Sequence, residues 1–98
     1  MSIDEFSSSL AQSKPPEGLT PYLRALWWDG KDDWEKAHEI IQDLQDPTAA
    51  WIHAYLHRKE GDVFNANYWY NRANKRMPGY ELKNEWKEIA SELLDAAS

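Results

Sequence analysis

The sequence predicts an all-α protein: two stacked helical hairpins, an amphipathic C-terminal helix and a loosely held N-terminal arm. No segment alternates β-branched and polar residues in the way that strands do. The 4 glycines and 5 prolines fall between segments of helical periodicity, so they mark helix ends. The chain also resembles itself when it is shifted by 29 residues, which is typical of a repeat of helical units.

Length and charge restrict the classes of protein that the chain fits. With 98 residues it is long enough for one domain with a modest core. The net charge of -6 predicts repulsion from nucleic acid and from anionic membranes, so neither partner is expected. There is no cysteine, no apolar run of about 18 residues and no secretion signal at the N-terminus. We therefore expect a cytoplasmic protein without disulfides.

The first 18 residues are predicted to form the arm, and residues 19–98 a single domain. Ser2 and Glu5 have the spacing of a capping box, which predicts a short helix that exposes Phe6. The segment from Lys14 to Gly18 contains two prolines and ends that helix. The arm is therefore expected to be held only loosely.

Two of the main helices are expected to begin at prolines. Thr20 precedes Pro21 and Asp46 precedes Pro47, and each pair places a capping side chain before a residue whose missing N–H costs nothing in the first turn. The last helix carries an apolar stripe that includes Trp86, so it should cover the second hairpin. The predicted helices are 21–30, a second from a cap at Asp32 or Asp33 to near Leu44, then 47–60, 63–76 and 80–97.

The internal repeat pairs small and aromatic residues at equivalent positions of the two hairpins. Small side chains let helix axes approach closely, and a large neighbour fills the space beside them. The aligned pairs are Tyr22 with Trp51, Ala25 with Ala54, Leu26 with Tyr55, Asp33 with Asp62, Ala37 with Ala66, and Ile41 with Tyr70.

The second hairpin resembles a tetratricopeptide repeat. It has the glycine of the turn at Gly61, the alanine and aromatic pair at Ala66 and Tyr70, the later alanine at Ala73 and the closing proline at Pro78. The first hairpin matches at Trp34, Ala37 and Ile41, but it is shorter and has no glycine in its turn. The likeness covers residues 20–78, and the whole chain resembles small bacterial helical-repeat proteins without implying an activity.

This resemblance implies a concave face, lined by the first helix of each hairpin, that holds a protein or peptide segment. Aromatic side chains supply contact area and two cations can engage a carboxylate of the ligand. An alternative is that the C-terminal helix or the arm fills the groove. A homodimer through the aromatic pair Phe64 and Tyr68 is left open. The predicted ligand-binding residues are Tyr22, Leu26, Trp51, Tyr55, Arg58 and Lys59.

The histidines are the candidates for a metal site. His53 and His57 lie four residues apart on one helix and share a face, while His38 lies on the preceding helix, with Glu60 nearby. Alternatively, these rings only pack against the second hairpin helix, or they turn to solvent while Trp51 and its helical neighbours face inward. In every case the helix is apolar over most of its circumference, which predicts that it is the most buried element.

The function expected from the sequence is therefore a non-catalytic module that binds a protein or peptide, with no cofactor. The first alternative is a small metal-dependent or acid/base enzyme that uses His38, His53 and His57. The second is a structural subunit of a larger complex. No glycine-rich phosphate loop, nucleophile elbow or isolated carboxylate pair points to a catalyst.

Overall fold

The computed structural model describes residues 1–97 and confirms the all-helical class. These residues form six helices and no strand, and none of the helices is both long and apolar enough to cross a membrane. The fourth predicted helix ends earlier than expected, at Arg72, and Asn74 just after it adopts a positive φ of 60°. The fifth predicted helix begins at Leu82 and not at Tyr80. The helices are α1 (Ile3–Ser9), α2 (Pro21–Gly30), α3 (Trp34–Ile41), α4 (Pro47–Lys59), α5 (Val63–Arg72) and α6 (Leu82–Ala97).

Side-chain caps define where the helices begin. The Thr20 hydroxyl accepts a hydrogen bond from the backbone of Leu23, and Asp46 accepts one from Ala49, with a proline in the first turn in both cases. Each cap satisfies one of the backbone N–H groups that a helix start leaves without a partner. The capping box of Ser2 is also present, so the predicted helix starts at 21 and 47 and the short first helix are confirmed.

The two hairpins turn in the same way although their turn residues differ. Asp32 has a φ of 64° and Gly61, its equivalent in the repeat, has a φ of 87°. In both turns the next residue, Asp33 or Asp62, caps the second helix. Asp tolerates this left-handed conformation better than most residues, so the first turn does not require a glycine.

Helix α4 is the central element, as the sequence predicts. Its residues Ala49–Leu56 are all buried, and this run includes His53 from one candidate inward face and Trp51 and Tyr55 from the other. The repeat alanines Ala54, on α4, and Ala66, on α5, are both fully buried, and these two helices pack along each other. Small buried residues at the repeat positions are compatible with close approach of the two helices.

The C-terminal helix was expected to cover the second hairpin, but it contacts both hairpins. It lies across α2 and α4, the first helices of both hairpins, and also contacts α1. The indole of Trp86 donates a hydrogen bond of 2.9 Å to the carbonyl of Leu26. The physical reason is that α2 and α4 together present apolar side chains that would otherwise face water, and the apolar stripe of α6 buries them.

The prediction that the first 18 residues are loosely held is wrong for α1. Phe6 is fully buried, belongs to the same core as the hairpins and stacks on Trp86 with ring centroids 5.5 Å apart. Gly30 makes room for Leu10, which follows α1, since a Cβ there would lie 2.9 Å from a methyl group of Leu10 and 3.2 Å from the ring of Trp86. Lys31 then holds the chain after α1 through hydrogen bonds to two of its carbonyls.

Candidate metal centre

All 3 histidines of the chain meet at one place, between α3 and α4. His38 comes from α3, and His53 and His57 are one turn apart on α4. One ring nitrogen from each residue lies within 4.8 Å of those of the other two. The shortest separation is 3.1 Å, between Nε2 of His38 and Nε2 of His53.

Trp34 fixes the position of α3 against α4 and supports His38. Its indole N–H donates a hydrogen bond of 2.8 Å to the carbonyl of Leu56, which ties the first turn of α3 to the end of α4. One turn later, the ring of His38 stacks on Trp34 at a centroid distance of 4.9 Å and an angle of 8°. The imidazole is therefore held at a defined angle to the other two.

Helix α5 supplies the wall on the opposite side. Trp69 stacks on the His53 ring at 4.0 Å and 16°. His53 is only 6% exposed, and its Nδ1 is the one buried side-chain nitrogen or oxygen within residues 1–97 that has no hydrogen-bond partner. The ring is thus held by stacking, while its Nδ1 receives no hydrogen bond from the protein and donates none to it.

His57 is oriented by a carboxylate. Its Nδ1 lies 2.7 Å from Oε1 of Glu60, and because a carboxylate only accepts, the imidazole donates this hydrogen bond. The lone pair of His57 is therefore left on Nε2. Asp62 lies beside this pair and makes a second group of possible metal ligands with His57 and Glu60.

Burial keeps the buried imidazoles neutral. Desolvation, together with the nearby imidazoles of His57 and His38, lowers the pKa of His53 to about 4. The pKa of His38 is also lowered, mainly by desolvation and by His57, while Glu60 and Glu39 act in the opposite direction. Neutral imidazole is the form that coordinates a metal ion, so each of these two rings has one unprotonated nitrogen near pH 7.

The geometry fits a tetrahedral ion such as Zn²⁺. Two imidazole nitrogens bound to one such ion at about 2.0 to 2.1 Å lie about 3.3 Å apart, close to the 3.1 Å between His38 and His53. The hydrogen bond from His57 to Glu60 matches the carboxylate–histidine arrangement that orients ligands in metal sites. A ring nitrogen of His57 lies within 4.8 Å of the other two, so it must move closer to them to bind the same ion.

The predicted peptide-binding face is an internal surface of the protein. Leu26, Trp51 and Tyr55 are buried, at 0%, 7% and 2% exposure, beneath α6. Arg58 pairs with Glu85 of α6 at 2.8 Å, and Lys59 pairs with Asp29 at 2.9 Å. Half-buried Tyr22 is the remaining predicted residue, and its hydroxyl donates to Asp46. The structure thus corresponds to the alternative in which the C-terminal helix fills the groove.

The sequence did not identify the two tryptophans that enclose the histidines. Trp34 precedes His38 by four residues, which places both on one face of α3, so spacing within the helix was an available signal. For Trp69 there was no such local signal, because its contact with His53 depends on how α5 packs against α4.

Comparisons of the chain with models of protein families, with curated proteins and with solved structures found no match.

Proposed function

We propose that the protein binds a divalent transition-metal ion, with Zn²⁺ as the representative ion, through His38, His53 and His57. The observation that carries this proposal is the convergence of every histidine in the chain, two of them with Nε2 atoms 3.1 Å apart. Imidazole is a ligand suited to zinc, copper, nickel and iron.

Packing alone explains this arrangement less well. Stacking on Trp34 or Trp69 would be equally satisfied by a phenyl ring, which has no nitrogen to desolvate. In the metal-free protein, the Nδ1 of His53 is buried without a partner, and one of two facing Nε2 atoms must carry a proton. An ion bound to both Nε2 atoms would replace this contact, which is either repulsive or dependent on a proton, by two metal–nitrogen bonds.

Three protein ligands leave the fourth position of a tetrahedral ion for water or another small ligand. Sites of this type lower the pKa of bound water and act as Lewis acids, whereas purely structural zinc sites are closed by four protein ligands. His38 and His57 are partly exposed, so the fourth position is accessible from the solvent side of the cluster. The class of reaction that such a site supports is metal-assisted hydrolysis or hydration.

Zinc titration of the metal-free protein, in competition with a fluorescent chelator, tests the proposal. We expect one ion per chain, and we expect H38N and H57N to weaken binding by on the order of a hundredfold. E60Q should weaken it by about tenfold, since Glu60 positions His57 without binding the ion. E92Q, at an exposed position of α6, is the matched carboxylate control and should bind like the unmodified chain.

Nitrogen-15 NMR of the imidazole rings provides a readout that does not depend on variants. One equivalent of Zn²⁺ should shift the Nε2 signals of all three rings and stop their titration with pH. If these signals are unchanged by zinc, or if H38N and H57N bind as tightly as the unmodified chain, the histidines are packing residues and the proposal is wrong.

The peptide-binding module implied by the resemblance stays a prediction. On the face first considered, it requires α6 to leave α2 and α4, because Leu26 and Tyr55 are otherwise buried. A homodimer through Phe64 and Tyr68, which are 85% and 50% exposed, likewise stays a prediction.

A further inference from the structure

A cleft of about 340 Å³ lies on the opposite side of α4 from the histidines, where α2 and α4 end and α6 begins. Its position follows from α4 itself: Tyr55 and Lys59 line the cleft, and each is two residues, or about 200° around the helix, from a histidine of the metal centre. The volume is at the lower end of the range for small-molecule sites, roughly 300 to 1,000 Å³. The cleft is therefore large enough for a compact organic molecule.

The inner walls are mainly apolar. Leu10, from the turn after α1, and Leu82, at the start of α6, face the cleft together with the ring of Trp86. All three pack on the edge of the hydrophobic core. An apolar group of a ligand would be desolvated here, which is a favourable term of about 25 cal/mol for each Å² removed from water.

The buried acid in the cleft is already engaged by the protein. Asp29 is 1% exposed, and its two oxygens accept hydrogen bonds from Lys59 Nζ at 2.9 Å and from the hydroxyl of Tyr55 at 2.7 Å. The remaining carboxylate of the lining, Asp32, is 93% exposed and lies 3.8 Å from the same lysine. Asp29 therefore offers no free oxygen to a cationic ligand.

The lining of the cleft contains three lysines and two aspartates, a formal charge of +1 in a protein whose net charge is -6. Lys87 makes no ion pair within residues 1–97. Lys83 pairs with Glu81 at 3.4 Å, but both side chains are more than 70% exposed, at 77% and 71%, and such surface pairs exchange readily with water. Two ammonium groups on one turn of α6 are thus free to receive an anion.

We propose that this cleft binds a small amphipathic carboxylate, with its apolar body between Leu82 and Trp86 and its carboxylate at Lys83 and Lys87. The inference is independent of the metal site, since the two sets of residues face opposite sides of α4. A ligand with about a dozen non-hydrogen atoms is expected to bind with a Kd on the order of a millimolar. The natural ligand would belong to the aryl- or alkyl-carboxylate class.

The test uses 4-phenylbutyrate with two analogues of the same size, the neutral 4-phenylbutanol and the cationic 4-phenylbutylamine. Proton–nitrogen NMR follows the backbone of α6 and the indole N–H of Trp86, a residue that lines the cleft. The carboxylate should shift these signals and bind about tenfold more tightly than the alcohol, and the amine should bind most weakly.

Charge-reversal variants distinguish binding at these two ammonium groups from general electrostatic attraction to the protein. K83E/K87E should weaken binding of the carboxylate by about tenfold and leave binding of the alcohol unchanged. K14E, at an exposed lysine that is not part of the cleft lining, is the control for lost positive charge and should have no such effect. Equal binding of the acid and the alcohol, shifts scattered outside the cleft, or no shifts at all would overturn the proposal.

Discussion

At the level of single residues, Glu85 is a buried carboxylate that depends on several polar partners. It is 1% exposed, yet it accepts hydrogen bonds from the indole of Trp51 at 3.2 Å and from the hydroxyl of Tyr70, and it pairs with Arg58 at 2.8 Å. A buried carboxylate is tolerated only when its lone pairs are satisfied and its charge is balanced. These three partners, from α4 and α5, therefore make Glu85 the polar junction between the second hairpin and α6.

Substituting Glu85 by Gln should destabilise the protein strongly. The amide keeps the size of the side chain, but it removes the negative charge opposite Arg58 and replaces one acceptor by a donor that faces the Tyr70 hydroxyl. We expect a loss of roughly 3 kcal/mol in the free energy of unfolding, measured with urea. E92Q, on the exposed side of the same helix, should change it by less than about 0.5 kcal/mol. Equal effects of the two substitutions would contradict the assigned role of Glu85.

A second residue-scale result concerns what the repeat pattern can reveal. The pattern aligned Asp33 with Asp62, and both cap their helices with nearly the same backbone angles. It did not show that Asp32 takes the left-handed conformation of Gly61, because the sequence has no glycine there. Gly adopts a positive φ far more readily than Asp, so an Asp in this position is a much weaker signal of this turn.

At the level of elements, α1 differs most from what its sequence indicates. A helix of 7 residues is too short to be stable alone. Its stability comes from Phe6 and from Ser9, whose hydroxyl accepts from the Trp27 indole and donates to the carbonyl of Phe6. The partners of α1 lie on α2 and α6, so its docking could not be derived from local periodicity.

Replacing Phe6 by Ala should therefore destabilise the whole domain and not only release α1. The substitution leaves a cavity beside Trp86 and removes a fully buried ring, which costs about 3 to 5 kcal/mol. The matched control is F64A, since Phe64 is 85% exposed and its loss should change stability by less than about 0.5 kcal/mol. Urea unfolding followed by tryptophan fluorescence measures both. If F6A retains the stability of the unmodified chain, α1 is not part of the core.

For the molecule as a whole, the sequence predicted the elements better than their arrangement. The caps before Pro21 and Pro47 and the buried alanines of α4 and α5 are local signals, and the hairpins follow from them. The placement of α6 over α2 and α4 depends on contacts such as Trp86 to Leu26, between residues far apart in the chain. The candidate metal site likewise depends on both local and long-range features. Sequence spacing predicts that His53 and His57 share a helix face, but the position of His38 beside them depends on how α3 packs against α4.

The histidine cluster links the stability of the entire metal-free protein to pH. The pKa of His53 is about 4 in the folded state against an ordinary value of 6.5, and the pKa of His38 is lowered in the same direction. Between these values the unfolded chain binds more protons than the folded one, so acidification favours unfolding. The contribution of His53 is complete above pH 6.5 and is lost as the pH falls toward 4.

We expect the free energy of unfolding of the metal-free protein to fall by roughly 2 kcal/mol between pH 7 and pH 5 through His53 alone, with a further loss through His38. Urea titrations in the presence of a chelator measure this slope. H53F keeps a ring against Trp69 but cannot bind a proton, so its stability should depend less on pH whatever its value at pH 7. Saturating Zn²⁺ should raise the free energy of unfolding at each pH but steepen its fall on acidification, because the ion keeps the imidazoles of the folded state unprotonated while those of the unfolded chain still bind protons. A stability that is constant from pH 7 to pH 5 would mean that the three imidazoles are not enclosed together, and the metal centre would then lose its structural basis.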